Sequence, residues 1–199
     1  AGSGELPEDH VRILLVEGTI GSGYEIGLEV AVRLGERLRD VYKRDVEVVV
    51  VGKVSLALQQ EWIARTHILV NFTGQVPAEV IPEIDRSAHV LYAADINPAC
   101  PNSVIEAIAC GLPVAAFDTG AIPEIVTQAS GQVVPYGGDP WKLDFPDIDA
   151  LAIAVQNILQ NQGAYRLGAR LRAEQAFSLD TMVDGYLNGI AAAARRGDA

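Results

Sequence analysis

Basic residues are scarce in this chain. Fifteen Lys and Arg stand against twenty-six Asp and Glu, a formal net charge of −11. Phosphate backbones are held by basic stripes, so nucleic acid and anionic membrane surfaces are excluded as general partners. The two dense basic patches, Tyr42-Lys43-Arg44-Asp45 and Ala193-Ala194-Arg195-Arg196-Gly197, read as solvated surface. There are only two cysteines, Cys100 and Cys110, without metal-site spacing. They fit a reducing compartment as small buried thiols, and the expected location is cytoplasmic. Of the three histidines, His10 lies in the polar lead-in, and His67 and His89 each start an apolar strand. None has a nucleophile or carboxylate at a useful spacing, so none is assigned to catalysis. Long apolar runs are missing too: the longest, around Val46–Gly52, is strand-length and far short of a membrane span. Residues 1–10 read as a polar lead-in, disordered or an expression scar, and not as a secretory segment. Aromatics make up 6% of the chain and are scattered, which favours packing over a stacking platform for Trp62 and Trp141.

What remains is an ordinary globular composition, 49% hydrophobic over 199 residues, enough for one domain with a sizeable core. Runs rich in Val, Ile and Leu without polar alternation predict strands buried on both faces at 12–16, 46–51, 68–71, 90–92, 113–116 and 132–134. Helical stretches fall between them at 24–41, 55–65, 78–85, 103–110 and 123–127. After Gly137 a Pro/Gly-rich loop leads into helices only, near 148–161, 164–176 and 179–193. Repeated strand–helix units imply right-handed parallel crossovers. The fold class is α/β: over residues 11–199, a single Rossmann-like three-layer domain with a roughly six-stranded parallel sheet and a C-terminal helical tail.

Such sheets bind ligands outside the carboxyl ends of their strands, so each loop after a strand carries a chemical reading. The first, Glu17-Gly18-Thr19-Ile20-Gly21-Ser22-Gly23, is near the G-x-G-x-x-G fingerprint without matching it, and lacks the Lys of a P-loop. Its glycines and the following helix start suit a phosphate, or equally a tight strand–helix turn with no ligand. A dinucleotide-dependent oxidoreductase fits less well, because Val51-Gly52-Lys53 closes the second strand where an acidic residue is needed. At Ser103 and Glu106, S-x-x-E spacing describes a capping box. The functional alternative puts Glu106 on a first helical turn, accepting from the hydroxyls of a ribose. The amides of Asn102, Ser103 and Val104 would then face an anion. Asp95 and Asn97 suit either a sugar contact or a turn before Pro98. Asp147 and Asp149 form a D-x-D, but one at a helix start, where acidic residues cap; no metal is assigned.

The segment from Phe72 to Val126, "FTGQVPAEVIPEIDRSAHVLYAADINPACPNSVIEAIACGLPVAAFDTGAIPEIV", resembles the donor-binding, C-terminal half of family-4 glycosyltransferases of the GT-B fold. The shared pattern is F-x-G-x-V, a polar helix, an apolar strand, then E-A-x-A-C-G-x-P-V before a Gly-x-x-Glu turn. It runs from about Val11 to Tyr186. The resemblance implies a nucleoside-diphosphate sugar, UDP- or GDP-linked, as substrate. It also implies no cofactor or metal, transfer with retention, and an acceptor on a separate N-terminal domain absent from this chain. Glu106 matches the second glutamate of the family's E-x7-E motif, placed on ribose. The first glutamate, on the transferred sugar, falls at Pro98. Val76 matches a position beside the base. Gly18 and Gly23 stand where the family carries Arg and Lys on the diphosphate, with Gly21 between them, and Lys53 is the basic residue among these loops able to compensate. Two readings follow: a transferase half that is inactive alone, or a binding module that has lost transferase activity.

Overall fold

The computed structural model describes residues 6–20 and 25–197, so the expected phosphate-loop residues Gly21 and Gly23 lie outside the described residues. Six strands, β1 (Val11–Ile20), β2 (Val46–Val54), β3 (Leu69–Gly74), β4 (Val90–Ala93), β5 (Val114–Phe117) and β6 (Gly131–Val134), form one sheet in the order 3-2-1-4-5-6. Every pairing is parallel. The Val-rich runs form these strands because alternate residues feed two cores. Ile13, Leu15, Val48 and Val50 point into one, Leu14, Val49, Val51 and Leu91 into the other.

The first core is covered by α1 (Ile26–Tyr42), α2 (Leu56–Arg65) and α6 (Ile148–Gln160). The second is covered by α3 (Ile81–Arg86), α4 (Asn102–Ala109), α5 (Ile122–Ile125) and α7 (Gln162–Ala176). This is the three-layer arrangement expected, and α8 (Leu179–Gly197) completes the helical tail with Tyr186 and Ile190 exposed. Asp147 caps α6, its carboxylate accepting from the Ala150 N–H at 3.0 Å, while Asp149 pairs with Arg37 at 2.7 Å. The D-x-D is therefore a helix start.

The sheet reverses its winding between β1 and β4, and these two strands stay paired only at Ile13–Val90 and Leu14–Leu91. Above that point β1 remains with β2 as far as Ile20–Val54, after a register shift between Val16 and Thr19. The shift carries Glu17 and Gly18 out of regular pairing. Gly52 makes it possible: its φ is +139°, and a Cβ there would sit 2.0 Å from the Glu17 carbonyl oxygen. Pairing through this irregularity makes β1 longer than the apolar run 12–16 predicts.

The histidines keep to the opposite, amino-terminal end or to the surface. His89 Nδ1 accepts from the Arg12 N–H at 3.0 Å, and His10 contacts Glu47, which also accepts from Arg12 Nε at 2.6 Å. His67 lies between Glu36 and Asp40.

Candidate functional site

The split between β1 and β4 opens two adjoining clefts at the carboxyl ends of the strands, with Glu17 and Asp95 on both. One, of about 560 Å³, is lined by Gly18, Gly52, Gln75, Val76, Ile81 and Ser103. It brings together three residues expected from the sequence: Gly18 after β1, Val76 after β3 and Ser103 in α4. Gly18 is exposed, and a Cβ built on it meets nothing within 4 Å. Val76 is half-buried against the second core.

The start of α4 differs from the expected capping box. Pro101 occupies the N-cap, with no side-chain cap, and Ser103 is the second helical residue. Proline fixes its own φ, here −75°, and starts the helix one residue before Ser103. Glu106 is consequently the fifth residue of α4, one turn above the start, exposed and away from the lining of both clefts. The Val104 N–H already donates to the Pro101 carbonyl at 3.1 Å. Among the described residues, the Asn102 and Ser103 N–H groups have no such acceptor, leaving two orphan donors at the positive end of the helix. Lys53 is exposed opposite Thr19 in the β1–β2 ladder, and its side chain lines neither cleft.

The second cleft, of about 340 Å³, lies on the other side of β1. Its polar lining is Glu17, Thr19, Asp95 and Asn97; its apolar lining includes Ile26, Leu28, Pro140, Trp141 and Leu143. Burial, reinforced by the Asp95 charge, pushes the Glu17 carboxyl up to about 7. Asp95 stays open to solvent on one side, and partial burial raises its pKa too. No Lys or Arg lines either cleft among the described residues. Asn97 adopts a left-handed φ of 55°, in keeping with the turn expected before Pro98. The Pro98 carbonyl accepts from the Ala121 N–H at 2.8 Å, locking this loop to the one after β5.

Sequence reasoning passed over Glu17 and Trp141. Trp62 is core, at 6% exposure, but Trp141 is 80% exposed at the cleft mouth, which corrects the expectation that both pack. Cys100 is likewise exposed instead of buried. Among the described residues, no group of three or more His, Cys, Asp or Glu is placed to hold a metal ion, and no helix is long and apolar enough to cross a membrane.

This geometry agrees with known proteins. Sucrose-phosphate synthase from Thermosynechococcus elongatus superposes with a TM-score of 0.67 at 25% identity, over 95% of this chain and 47% of that one. The pneumococcal O-GlcNAc transferase GtfA, solved with UDP and GlcNAc, gives 0.66 at 15% identity over 95% and 37%. S. aureus TarM gives 0.63 at 15% over 92% and 36%. The chain thus spans less than half the length of these structures. A comparison with curated protein sequences finds no match. The family profile for glycosyl transferases group 1 matches residues 12–161. The chain belongs to that family and is a glycosyltransferase domain of the GT-B fold.

Proposed function

We propose that this chain is the donor-binding, C-terminal half of a family-4 GT-B glycosyltransferase, holding the nucleoside diphosphate of a UDP- or GDP-linked sugar. The observation that carries it is the larger cleft, which gathers Gly18, Val76 and Ser103 where the sheet reverses its winding. In this reading the diphosphate lies between the Gly18 backbone and the free amides of Asn102 and Ser103, with Val76 beside the base. Glu106, one turn up α4, takes the ribose hydroxyls. As the glycosyl bond breaks, charge builds on the β-phosphate, and the helix-start amides stabilise it without a metal.

The sugar passes, with retention, to an acceptor held by a separate N-terminal domain. That this chain spans less than half of its structural neighbours supports the division of labour. The chain alone therefore binds donor weakly and does not turn over. Two free thiols suit the cytoplasm as its location. Calorimetry with UDP, GDP and ADP and their sugars tests the reading: affinity for one base and its loss in Glu106→Ala are expected, and no binding to any would refute it.

A second reading, a binding module that has lost transfer, is favoured by one observation. The crevice presents Glu17 and Asp95 and no lining cation among the described residues, an unfavourable setting for a diphosphate. Glycosyl transfer by the chain joined to an acceptor domain would exclude it.

A further inference from the structure

The two ends of α4 are held differently. At its start Pro101 supplies no side-chain cap, and the Asn102 and Ser103 N–H groups are left open among the described residues. At its end all four final carbonyls have partners. Glu106 accepts from the Cys110 N–H at 3.0 Å, Ala107 from Leu112 at 2.9 Å and Ile108 from Gly111 at 2.9 Å. Reversal of the chain provides these three, with Gly111 in the left-handed region at a φ of 72°. The fourth carbonyl, that of Ala109, accepts from Arg170 Nη1 at 2.6 Å, 61 residues away on α7. We infer that Arg170 is a positioning residue for the donor's diphosphate. From the far end of α4 it fixes the aim of the open Asn102 and Ser103 amides, a role that rests on the donor reading above.

The packing makes this control direct. Ala169 and Ala173 of α7 are buried in the same core as Ala107 and Ile108 of α4. The approach is close, since a Cβ on Gly111 would stand 3.3 Å from the Arg166 carbonyl oxygen. With only eight residues, α4 is about 12 Å long and moves as a rod. A shift at Ala109 is therefore delivered to Asn102 and Ser103. The guanidinium is itself tethered, Arg170 Nε donating to Glu174 at 2.7 Å. That carboxylate offsets its charge, so Arg170 acts on an anion at the other end of α4 through geometry. Where no Lys or Arg lines the clefts among the described residues, the aim of neutral amides decides how well a diphosphate is held.

Two further arginines of α7 make the same kind of bond elsewhere. Arg166 donates to the Ala88 and Arg86 carbonyls at 3.0 and 3.3 Å, at and just beyond the end of α3. Arg172 donates to the Glu124 and Ile125 carbonyls at 2.7 and 3.2 Å, at the end of α5, with its guanidinium over the Phe177 ring. No residue of α5 lines either cleft. Arg172 is thus a clamp of at least equal structural weight that does not act on the donor.

Calorimetry and NMR on the whole chain test this with Arg170→Ala and Arg172→Ala. The Arg170 side chain is 57% exposed, so its truncation leaves the core untouched. Each variant should melt about 3 °C lower, because each loses hydrogen bonds of the same kind. Only Arg170→Ala should weaken binding of UDP, GDP or ADP, whichever the wild type takes up, by about fivefold. It alone should lower the backbone order parameters of Asn102 and Ser103. An equal loss of affinity in the two variants would reduce Arg170 to a stability element and overturn the inference. Unchanged order at both amides in Arg170→Ala would overturn it as well. No nucleotide binding by the wild type, with the two amides loosened in Arg170→Ala, would fail the donor reading alone. Nucleotide binding that Arg170→Ala leaves intact would fail this one alone.

Discussion

Replacing Glu17 with Gln should make the protein more stable once the pH rises above about 4.5, and a better nucleotide-sugar binder above neutral pH. The Glu17 carboxyl titrates at about 7 in the folded chain against an ordinary value of 4.5, first through burial and then through Asp95. Between those values the folded state keeps a proton that the unfolded state has lost. Raising the pH through this window therefore removes stability, and none is lost below it. At about 1.4 kcal/mol for each tenfold in proton affinity, the full cost approaches ~3.4 kcal/mol. Glu17 is only half-buried, and solvent screening halves that to roughly 1.5 kcal/mol. Urea unfolding should thus show Glu17→Gln more stable by roughly 1.5 kcal/mol at pH 8 and unchanged at pH 4. Asp85, pushed up to about 7 chiefly by burial, and His89, pushed down to about 4 by burial, titrate alike in both proteins and cancel from the difference. The second consequence is for the ligand. A carboxylate about 7 Å from a phosphate charge repels it by about 2 kcal/mol at an effective dielectric of about 20. Salt at about 0.15 M roughly halves this, leaving about a sevenfold loss of affinity. UDP- and GDP-glucose are the right probes, because their diphosphates carry no terminal monoester to titrate near pH 6. Affinity should fall from pH 6 to 8.5 in the wild type and stay flat in Glu17→Gln. An equal stability difference at pH 4 and 8, or a flat wild-type affinity profile, would refute the reasoning.

Glu106→Ala should weaken nucleotide binding by about 1.5–3 kcal/mol in calorimetry. Because Glu106 is exposed and caps nothing, its stability in urea should move by less than about 0.5 kcal/mol. Gly18→Arg meets no steric barrier at its Cβ and places a cation beside two carboxyls, so nucleotide-sugar affinity should rise five- to tenfold, by rough estimate from the same Coulomb term; weaker binding would count against a diphosphate there. Gly52→Ala drives a methyl into the Glu17 carbonyl and should cost at least about 3 kcal/mol by chemical denaturation. Wild-type stability in that variant would show that the β1 irregularity is not held from β2.

The sheet was legible because its central strands β2, β4 and β5 are buried on both faces, so Val46–Val54 declares itself by composition alone, whereas the edge strand β3 leaves Leu69 exposed. The loops holding Gly18, Val76 and Ser103 followed from strand order, since parallel crossovers deliver them to one edge. Other features depend on contacts between distant segments. Nothing near Glu17 signals that it faces Asp95, because only the parting of β1 from β4 brings the two carboxyls together. Trp141 has the same local sequence whether packed or exposed, and the hydrogen bonds of Asp139 and Asp144 decide between them. The Ser103–Glu106 spacing misled because Pro101 starts α4 earlier than a serine cap would.

The meeting of α1 with the loop after β4 has a consequence for how this crevice can evolve. A Cβ placed on Gly27 would stand 2.8 Å from that of Ala94, well inside contact distance. Two of the smallest residues thus act as a spacer that sets how far apart the walls stand. One added methyl at Gly27 would wedge them open by about an ångström without altering a hydrogen bond or a charge. Fit for larger or smaller sugars is then adjustable from beneath the site, independently of the groups that recognise the ligand.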